Sequence, residues 1–323
     1  MTGTLPSEVQ QVFDRFVTTE YTTIDGRGQP ITWPVTPYYS PGDECIDVTT
    51  GLGYPKKARD AEANPKVALL FSDPTGCALD APPQVLVQGT ARVDDRDLDA
   101  NRERYARESP EKLPGTKDML PPKPVRRVLG WYFTRIYVNV RPERVYVWPG
   151  GDASAEPELL DTRLEEVRSG HEEEGPAEHV VAAGGDAAWD DRMDELGQRY
   201  DSAVLSLVAP DGFPFSARLP ITLDRGARRV RLSGAPVGIP FQPGLACLTA
   251  HDHDPEFKWQ RNFQVRGDLV QEDGGWAIAP HKLVGGFELP PTSTIARYRL
   301  NAGRIVQYRK RAKAEERRRA GAR

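Results

Sequence analysis

The apolar residues of this chain recur mostly in short runs with a period of two, and glycine, proline or aspartate interrupts the runs. Such runs are typical of half-buried strands joined by tight turns. Many of their residues are β-branched, which favours strands over helices. The pattern therefore predicts a mainly β protein, built from small antiparallel β-barrels with flanking helices.

Helical patterns are fewer and shorter. We predict four helices, over residues 8–16, 55–63, 96–108 and 190–199, together with a basic helical tail over residues 301–323. Acidic residues interrupt the cationic run of the tail, and Tyr308 is its single aromatic residue. We expect the tail to be a solvated helix and not a nucleic-acid contact.

Two stretches of the first half recur in the same order in the second half. Residues 18–39 and 202–223 each contain a strand, an Asp-Gly turn and a second strand, which is the pattern of a hairpin. Residues 84–95 and 262–273 are alternating strands that carry a glycine at the same place, Gly89 and Gly267. Two matches in the same order indicate an internal duplication.

The duplication and the length of 323 residues predict two domains. We place the first barrel at residues 1–150 and the second at residues 188–300, ahead of the tail. Residues 151–187 between them are acidic, punctuated by glycine and proline, and poor in aromatic residues. This composition predicts a mostly extended linker, because it buries little apolar surface.

Charge and cysteine content narrow the class of protein. The 43 basic and 47 acidic residues give a net charge of −4, which argues against a nucleic-acid partner. No apolar run predicts a signal peptide or a membrane partner. The three cysteines match no metal or redox spacing, and a cytoplasmic location is expected.

The most informative stretch is the turn TTGLGYPKK, over residues 49–57. Thr49 and Thr50 end a predicted strand, and Lys56 and Lys57 open a predicted helix. Cations at a helix N-terminus oppose the helix dipole, whereas an anion there is stabilised by it. The turn is therefore a candidate phosphate site, and the alternative is a solvated lysine pair.

The same residues resemble a known family. The stretch ITWPVTPYY, the segment CIDVTTGLGYPKKARDAEANPKVALLF and the strand QVLVQG are similar to the flavin-binding split barrel of the pyridoxamine 5′-phosphate oxidase superfamily. The resemblance implies two tandem split β-barrels and FMN as the cofactor. Deazaflavin coenzyme F-420 is the close alternative, and haem is a further one.

The resemblance also implies a role for individual residues. Thr49, Thr50, Lys56 and Lys57 would hold the phosphate of the cofactor, and Gln84 would approach its ring. Residues of the preceding strand would lie along the ring and the ribityl chain; they are Trp33, Val35 and Thr36. Arg135 lies in a predicted strand with Trp131, and the sequence does not fix which way it faces.

The second half departs from the family pattern, because it has no lysine helix and has Asn262 in place of Gln84. We therefore expect one phosphate site per chain, with the second barrel as its wall or as a dimer partner. The assembly implied is a homodimer or an intrachain pseudo-dimer. The implied function is a flavin-dependent oxidoreductase that transfers hydride to or from an unknown small substrate.

Alternatives to this function stay open. No triad, carboxylate pair or nucleophile motif identifies a catalytic residue, and the chain is alternatively a non-catalytic cofactor- or haem-binding barrel. The segment HDHDP, residues 251–255, contains two histidines that share a face if it is a strand. A metal site needs further converging ligands, so we predict a polar loop here and no metal.

Overall fold

The computed structural model describes residues 5–119, 124, 129–161, 188–272, 275–285 and 294–321. Residues 162–187, which form most of the predicted linker, lie outside this range. No helix in the described part of the chain is long and apolar enough to span a bilayer.

The first half forms one antiparallel sheet with strand order β2-β1-β4-β5-β6-β3. Beyond β2, Tyr38 and Asp47 form an isolated antiparallel bridge that joins the two ends of this order. Within the predicted linker, residues 158–161 form strand β7, which pairs with β6. The elements are α1 (Ser7–Arg15), β1 (Thr19–Ile24), β2 (Pro30–Val35), β3 (Ile46–Gly51), α2 (Lys56–Ala63), β4 (Lys66–Phe71), β5 (Gln84–Asp94), α3 (Leu98–Lys112), a 3₁₀ turn (Pro114–Met119), α4 (Gly130–Phe133), β6 (Arg135–Trp148) and β7 (Glu158–Asp161).

The second half forms a closed six-stranded barrel with strand order β9-β8-β11-β12-β13-β10. This is the order of the first sheet with each strand replaced by its counterpart, and one helix precedes the first strand in both halves. The prediction of a mainly β fold with two tandem barrels is confirmed. The elements are α5 (Asp191–Arg199), β8 (Ser202–Val208), β9 (Pro214–Asp224), β10 (Arg229–Leu232), β11 (Gly244–His253), β12 (Gln260–Glu272), β13 (Gly275–Gly285) and α6 (Thr294–Gly321).

The paired glycines mark the same irregularity in both halves. The strand register shifts between Gln88 and Gly89 in β5, and between Arg266 and Gly267 in β12. A Cβ on Gly89 would lie 2.2 Å from the carbonyl oxygen of Arg141 on the neighbouring strand. Only glycine permits this approach, and the extra residue bends the strand as a β-bulge does.

The two barrels pack against each other through their first hairpins. Thr22 faces Thr32 across β1 and β2, and Ser206 faces Ser216 across β8 and β9. The four hydroxyls form one buried cluster, with 2.9 Å between Thr22 and Thr32, 2.8 Å between Ser206 and Ser216, and 2.6 Å between Thr32 and Ser206. Ser216 also lies 3.0 Å from Thr22, and because each hydroxyl can donate one hydrogen bond and accept others, the four can satisfy one another in a ring.

The apolar run of β4 contributes to two cores. Leu69 and Phe71 lie in the core of the first sheet, whereas Ala68 and Leu70 lie in the core that fills the second barrel. Successive residues of a strand point to opposite faces, so a strand buried on both sides is continuously apolar. The first sheet therefore has no solvated face along β4.

The basic tail is a helix, as predicted, and most of its described side chains are exposed, but one of its faces is buried, so the expectation of a fully solvated helix is only partly met. Helix α6 packs along α2, with Ala312, Glu315 and Arg319 buried. Glu315 accepts hydrogen bonds from Arg59 of α2 at 2.9 Å and from Arg319 at 2.9 Å. Arg319 also pairs with Glu62 at 2.7 Å, so the cations on one face of the tail are neutralised inside the protein.

Glu315 should therefore matter for stability. Burial raises the pKa of its carboxyl, but Arg318, Arg59 and Arg319 outweigh burial and hold that pKa at about 2, below the ordinary 4.5. Its contribution is complete above pH 4.5 and is lost as the pH falls toward 2. We expect Glu315→Gln to cost about 3 kcal/mol at neutral pH, because the arginines lose their counter-charge.

Urea denaturation at pH 7 measures this cost, and Glu316→Gln is the matched control. Glu316 is the next residue of α6 and is exposed. Equal free energies of unfolding for the two variants would show that the Glu315 cluster does not anchor the helix.

Candidate anion site at the Lys57 turn

The glycines of the turn make room for the chain's own side chains. Gly53 N–H donates to the carbonyl of Trp131 in α4 at 2.9 Å. A Cβ on Gly51 would lie 2.9 Å from the ring of Tyr54, and one on Gly53 would lie 2.9 Å from Cβ of Tyr308. Tyr308 of α6 stacks on Trp131, with ring centroids 5.3 Å apart. The turn is thus enclosed by aromatic side chains.

Helix α2 begins immediately after the turn and has no side-chain cap. Pro55 occupies the N-cap position, and the first helical turn has no acidic residue. The first N–H groups of a helix have no partner within the helix, and their dipoles attract an anion. Thr50 does not supply the cap, because its hydroxyl donates to the carbonyl of Tyr54 at 2.8 Å.

The two lysines of the turn differ in their surroundings. Lys56 is half exposed, and its Nζ lies 2.9 Å from Asp60 and 3.8 Å from Asp25. Lys57 is partly buried and has no carboxylate partner among the described residues; its Nζ lies 5.8 Å from the ring centre of Trp33 and 5.9 Å from that of Tyr54. Burial and the neighbouring Arg135 lower the pKa of Lys57 to about 8.

Arg135 is a second cation at the same place, since it pairs with Gly51 across β3 and β6. It is buried and donates to the hydroxyl of Tyr54 at 3.0 Å and to that of Tyr105 at 2.8 Å. Its guanidinium lies 4.1 Å from the ring centre of Tyr105 and 4.3 Å from that of Tyr132. Its Nε has no partner in the described structure.

The remaining predicted site residues lie at varying distances from Lys57 and Arg135. Trp33 is beside Lys57, but Val35 is buried in the first core. Thr36, just beyond β2, and Thr49, opposite Tyr137, are partly buried. Gln84 is buried opposite Trp148 at the far end of β6, and no described contact links it to Lys57. Their roles toward a cofactor stay predictions.

Sequence reasoning gave no role to Tyr38, Tyr54 or Tyr105. Tyr105 comes from α3, Tyr132 from α4 and Tyr38 from the chain beyond β2, so no local spacing groups them. The aromatic segment before Arg135 was expected to open a strand. It forms the short helix α4 instead, and this helix brings Trp131 over the turn.

The two histidines of HDHDP are not in a polar loop, and that prediction is wrong. They end strand β11 on one buried face. His251 Nε2 lies 2.6 Å from Glu20 of the first barrel, and His253 Nε2 lies 3.3 Å from the hydroxyl of Thr18. Across the described residues, no group of three histidine, cysteine or acidic side chains is arranged to hold a metal.

No family model matches the sequence, and no curated protein matches it either. Solved structures do match, each over less than half of this chain. One is an F-420 reductase, with 22% identity and a TM-score of 0.32 over 42% of this chain and 94% of that one. Another is a protein related to general stress protein 26, of the pyridoxinephosphate oxidase family, from Clostridium acetobutylicum, with 13% identity and a TM-score of 0.32 over 48% of this chain and 92% of that one. A third is the haem storage protein HutZ from Vibrio cholerae, with 16% identity and a TM-score of 0.33 over 46% of this chain and 99% of that one.

With TM-scores of 0.32 and 0.33, these similarities carry no argument about the fold, the activity or the cofactor of this chain. The fold is therefore assigned from the strand order of the chain itself. The chemistry of the site is inferred from Lys57, Arg135 and the side chains around them.

Proposed function

We propose that this chain binds a phosphorylated flavin, either FMN or the deazaflavin coenzyme F-420, and acts as an oxidoreductase on a small-molecule substrate. One observation carries the proposal. Lys57 and Arg135 are two neighbouring cations without a carboxylate partner in the described structure, beside an uncapped helix N-terminus. A buried cation without a counter-charge is costly, and a phosphate group supplies that charge.

The residues present fit such a ligand. Lys57 and the first N–H groups of α2 would hold the phosphate, and the free Nε of Arg135 is a further buried donor. The rings of Trp33 and Tyr54 lie beside Lys57 and offer apolar faces to an aromatic cofactor. Lys56 and Thr50, both predicted ligands, already have partners within the chain.

A bound flavin would supply the redox chemistry, because it accepts or donates a hydride. The side chains of this chain would bind it, orient it and exclude water. Tyr308 and Trp131 stack over the turn and restrict the access of solvent to it. Burial strengthens each electrostatic contact in the site, since the surrounding dielectric is low.

The second barrel supports a single site per chain. Strand β10 ends at Leu232 and continues into a segment without a helix before β11. We propose that the barrels act as an intrachain pseudo-dimer in which the second barrel is a wall. The histidines of β11 do not favour haem, because their ring nitrogens contact Glu20, Thr18 and the carbonyl of Asp254.

A titration with FMN, coenzyme F-420 and riboflavin tests the proposal, with flavin fluorescence or absorbance as the readout. Riboflavin is the matched control because it lacks the phosphate. We expect FMN or coenzyme F-420 to bind at least about tenfold more tightly than riboflavin, which corresponds to about 1.4 kcal/mol. Equal affinity for FMN and riboflavin, with no binding of coenzyme F-420, would refute a phosphate site.

A further inference from the structure

Four phenol side chains surround the Arg135 guanidinium, and no carboxylate among the described residues pairs with it. They are Tyr38, Tyr54, Tyr105 and Tyr132. The phenols come from the chain beyond β2, the turn after β3, and helices α3 and α4. A buried guanidinium is stabilised by an anion in contact with it. Within the described structure, the groups around Arg135 that can become anions are these phenols, which do so by losing a proton.

Tyr105 is placed differently from the other three. Arg135 Nη2 donates to its oxygen at 2.8 Å, and the hydroxyls of Tyr132 and Ser109 hydrogen-bond to it as well. Three donors that converge on one phenol oxygen favour the phenolate. Burial raises the pKa of Tyr105, but the charge of Arg135 and these hydrogen bonds outweigh burial and hold it below its ordinary value.

The neighbouring phenols are pushed in the opposite direction. Burial raises the pKa of Tyr54 and of Tyr38, and proximity to Tyr105 together with burial raises that of Tyr132. Lys57 on α2 adds a second positive charge near Arg135. The cluster therefore provides one phenol that ionises readily and three that stay protonated.

The cluster also adjoins open space. Tyr38 packs with Tyr105 in one small apolar group, and Tyr38 lines a cavity of about 610 Å³. Arg104 and Glu108 of α3 line the same cavity. Tyr38 is the phenol of the cluster that lines this cavity, so a molecule in the cavity lies next to Tyr38.

We infer that Tyr105 is the proton-transfer residue of this site, exchanging its phenolic proton with a small molecule whose reduction takes up a proton. This rests on the proposed function, in which the electron pair comes from a reduced flavin. In the forward direction the Tyr105 O–H bond breaks, the proton joins the substrate, and Arg135 neutralises the phenolate. The phenolate then regains a proton from water.

Ultraviolet titration of tyrosinate absorbance on the full chain tests the inference without any cofactor. The chain has 11 tyrosines, so the ionisation of Tyr105 contributes one eleventh of the total change in tyrosinate absorbance. We expect one phenol to ionise below the ordinary pKa of about 10. This step should disappear in Tyr105→Phe and persist in Tyr146→Phe, which removes a phenol outside the cluster. Its persistence in Tyr105→Phe, or its absence from the parent chain, would overturn the inference.

Two further measurements separate this inference from the proposed function. Ser109→Ala removes one donor and should move the step to higher pH without abolishing it, which serves as a second test if Tyr105→Phe fails to fold. In the flavin-bound chain, turnover of Tyr105→Phe should lose its dependence on this ionisation. Failure of the parent chain to bind any flavin would refute the proposed function and leave the titration result unchanged.

Discussion

Replacing Lys57 with methionine should weaken the binding of FMN or coenzyme F-420 by at least about tenfold, since a charge-assisted hydrogen bond contributes about 1.5–3 kcal/mol. Methionine keeps most of the length of the side chain beside Trp33 and Tyr54 and removes only the charge. The fold should survive, because the Nζ of Lys57 contacts no carboxylate in the described structure.

The matched control is Lys56→Met. Lys56 is half exposed and already paired with Asp60, so its removal should change affinity by less than about twofold. Riboflavin binding should be unchanged in both variants. Equal losses of FMN affinity in the two variants would show that the turn attracts anions by its overall charge and that Lys57 is not a specific ligand.

The same lysine predicts a dependence on pH. Its pKa is about 8 before a ligand binds, and an adjacent phosphate favours the protonated form. The phosphate-dependent part of the affinity should therefore be full between about pH 6, where a phosphate monoester loses its second proton, and pH 8, and should decline as the pH rises above 8. Titrations of FMN against riboflavin at several pH values measure this decline, and Lys57→Met should abolish it.

Gly89→Ala should destabilise the chain by about 3 kcal/mol, the upper part of the range for overpacked sites. The new Cβ would lie 2.2 Å from the carbonyl oxygen of Arg141, which is backbone and cannot rotate away. Relief requires β5 and β6 to separate at the bulge. Gly267→Ala should behave similarly, because its Cβ would lie 2.3 Å from the carbonyl oxygen of Ala279.

Chemical denaturation measures both costs, with Gly26→Ala as the control. Gly26 lies in the first hairpin turn, where an added Cβ would meet no atom within 4 Å and the backbone is not left-handed. Its substitution should change the free energy of unfolding by less than about 1 kcal/mol. A similar loss at Gly26 and Gly89 would show that close approach at the bulge does not explain the glycine.

The barrels and their duplication could be predicted from sequence because strand patterning is local. The alternation of residues and the two glycines are visible in stretches of about a dozen residues. The lysine pair could be recognised for the same reason, since the turn, the proline and the two lysines are consecutive. The distinction between Lys56 and Lys57 could not, because it depends on where Asp25 and Asp60 lie relative to the helix.

What the sequence did not disclose depends on contacts between distant segments. Arg135 is recognisable as a site residue only once β6 is paired with β3. The histidines of β11 looked like loop residues because their compensating acid, Glu20, belongs to the other barrel. The tail looked solvated because its cations are numerous, whereas Arg59, Glu62 and Glu315 join it to α2.

The docking of α6 has a consequence for the order of events during synthesis. Arg59 and Glu315 are 256 positions apart, so the ribosome releases α2 and the lysine turn long before α6 exists. From the synthesis of residue 161 onward, all strands of the first half have been made, but Tyr308 has not. Because translation adds about 5–20 residues per second, the growing chain spends on the order of ten seconds or more with this face uncovered. Aromatic closure of the site thus follows the synthesis of the strands of both halves.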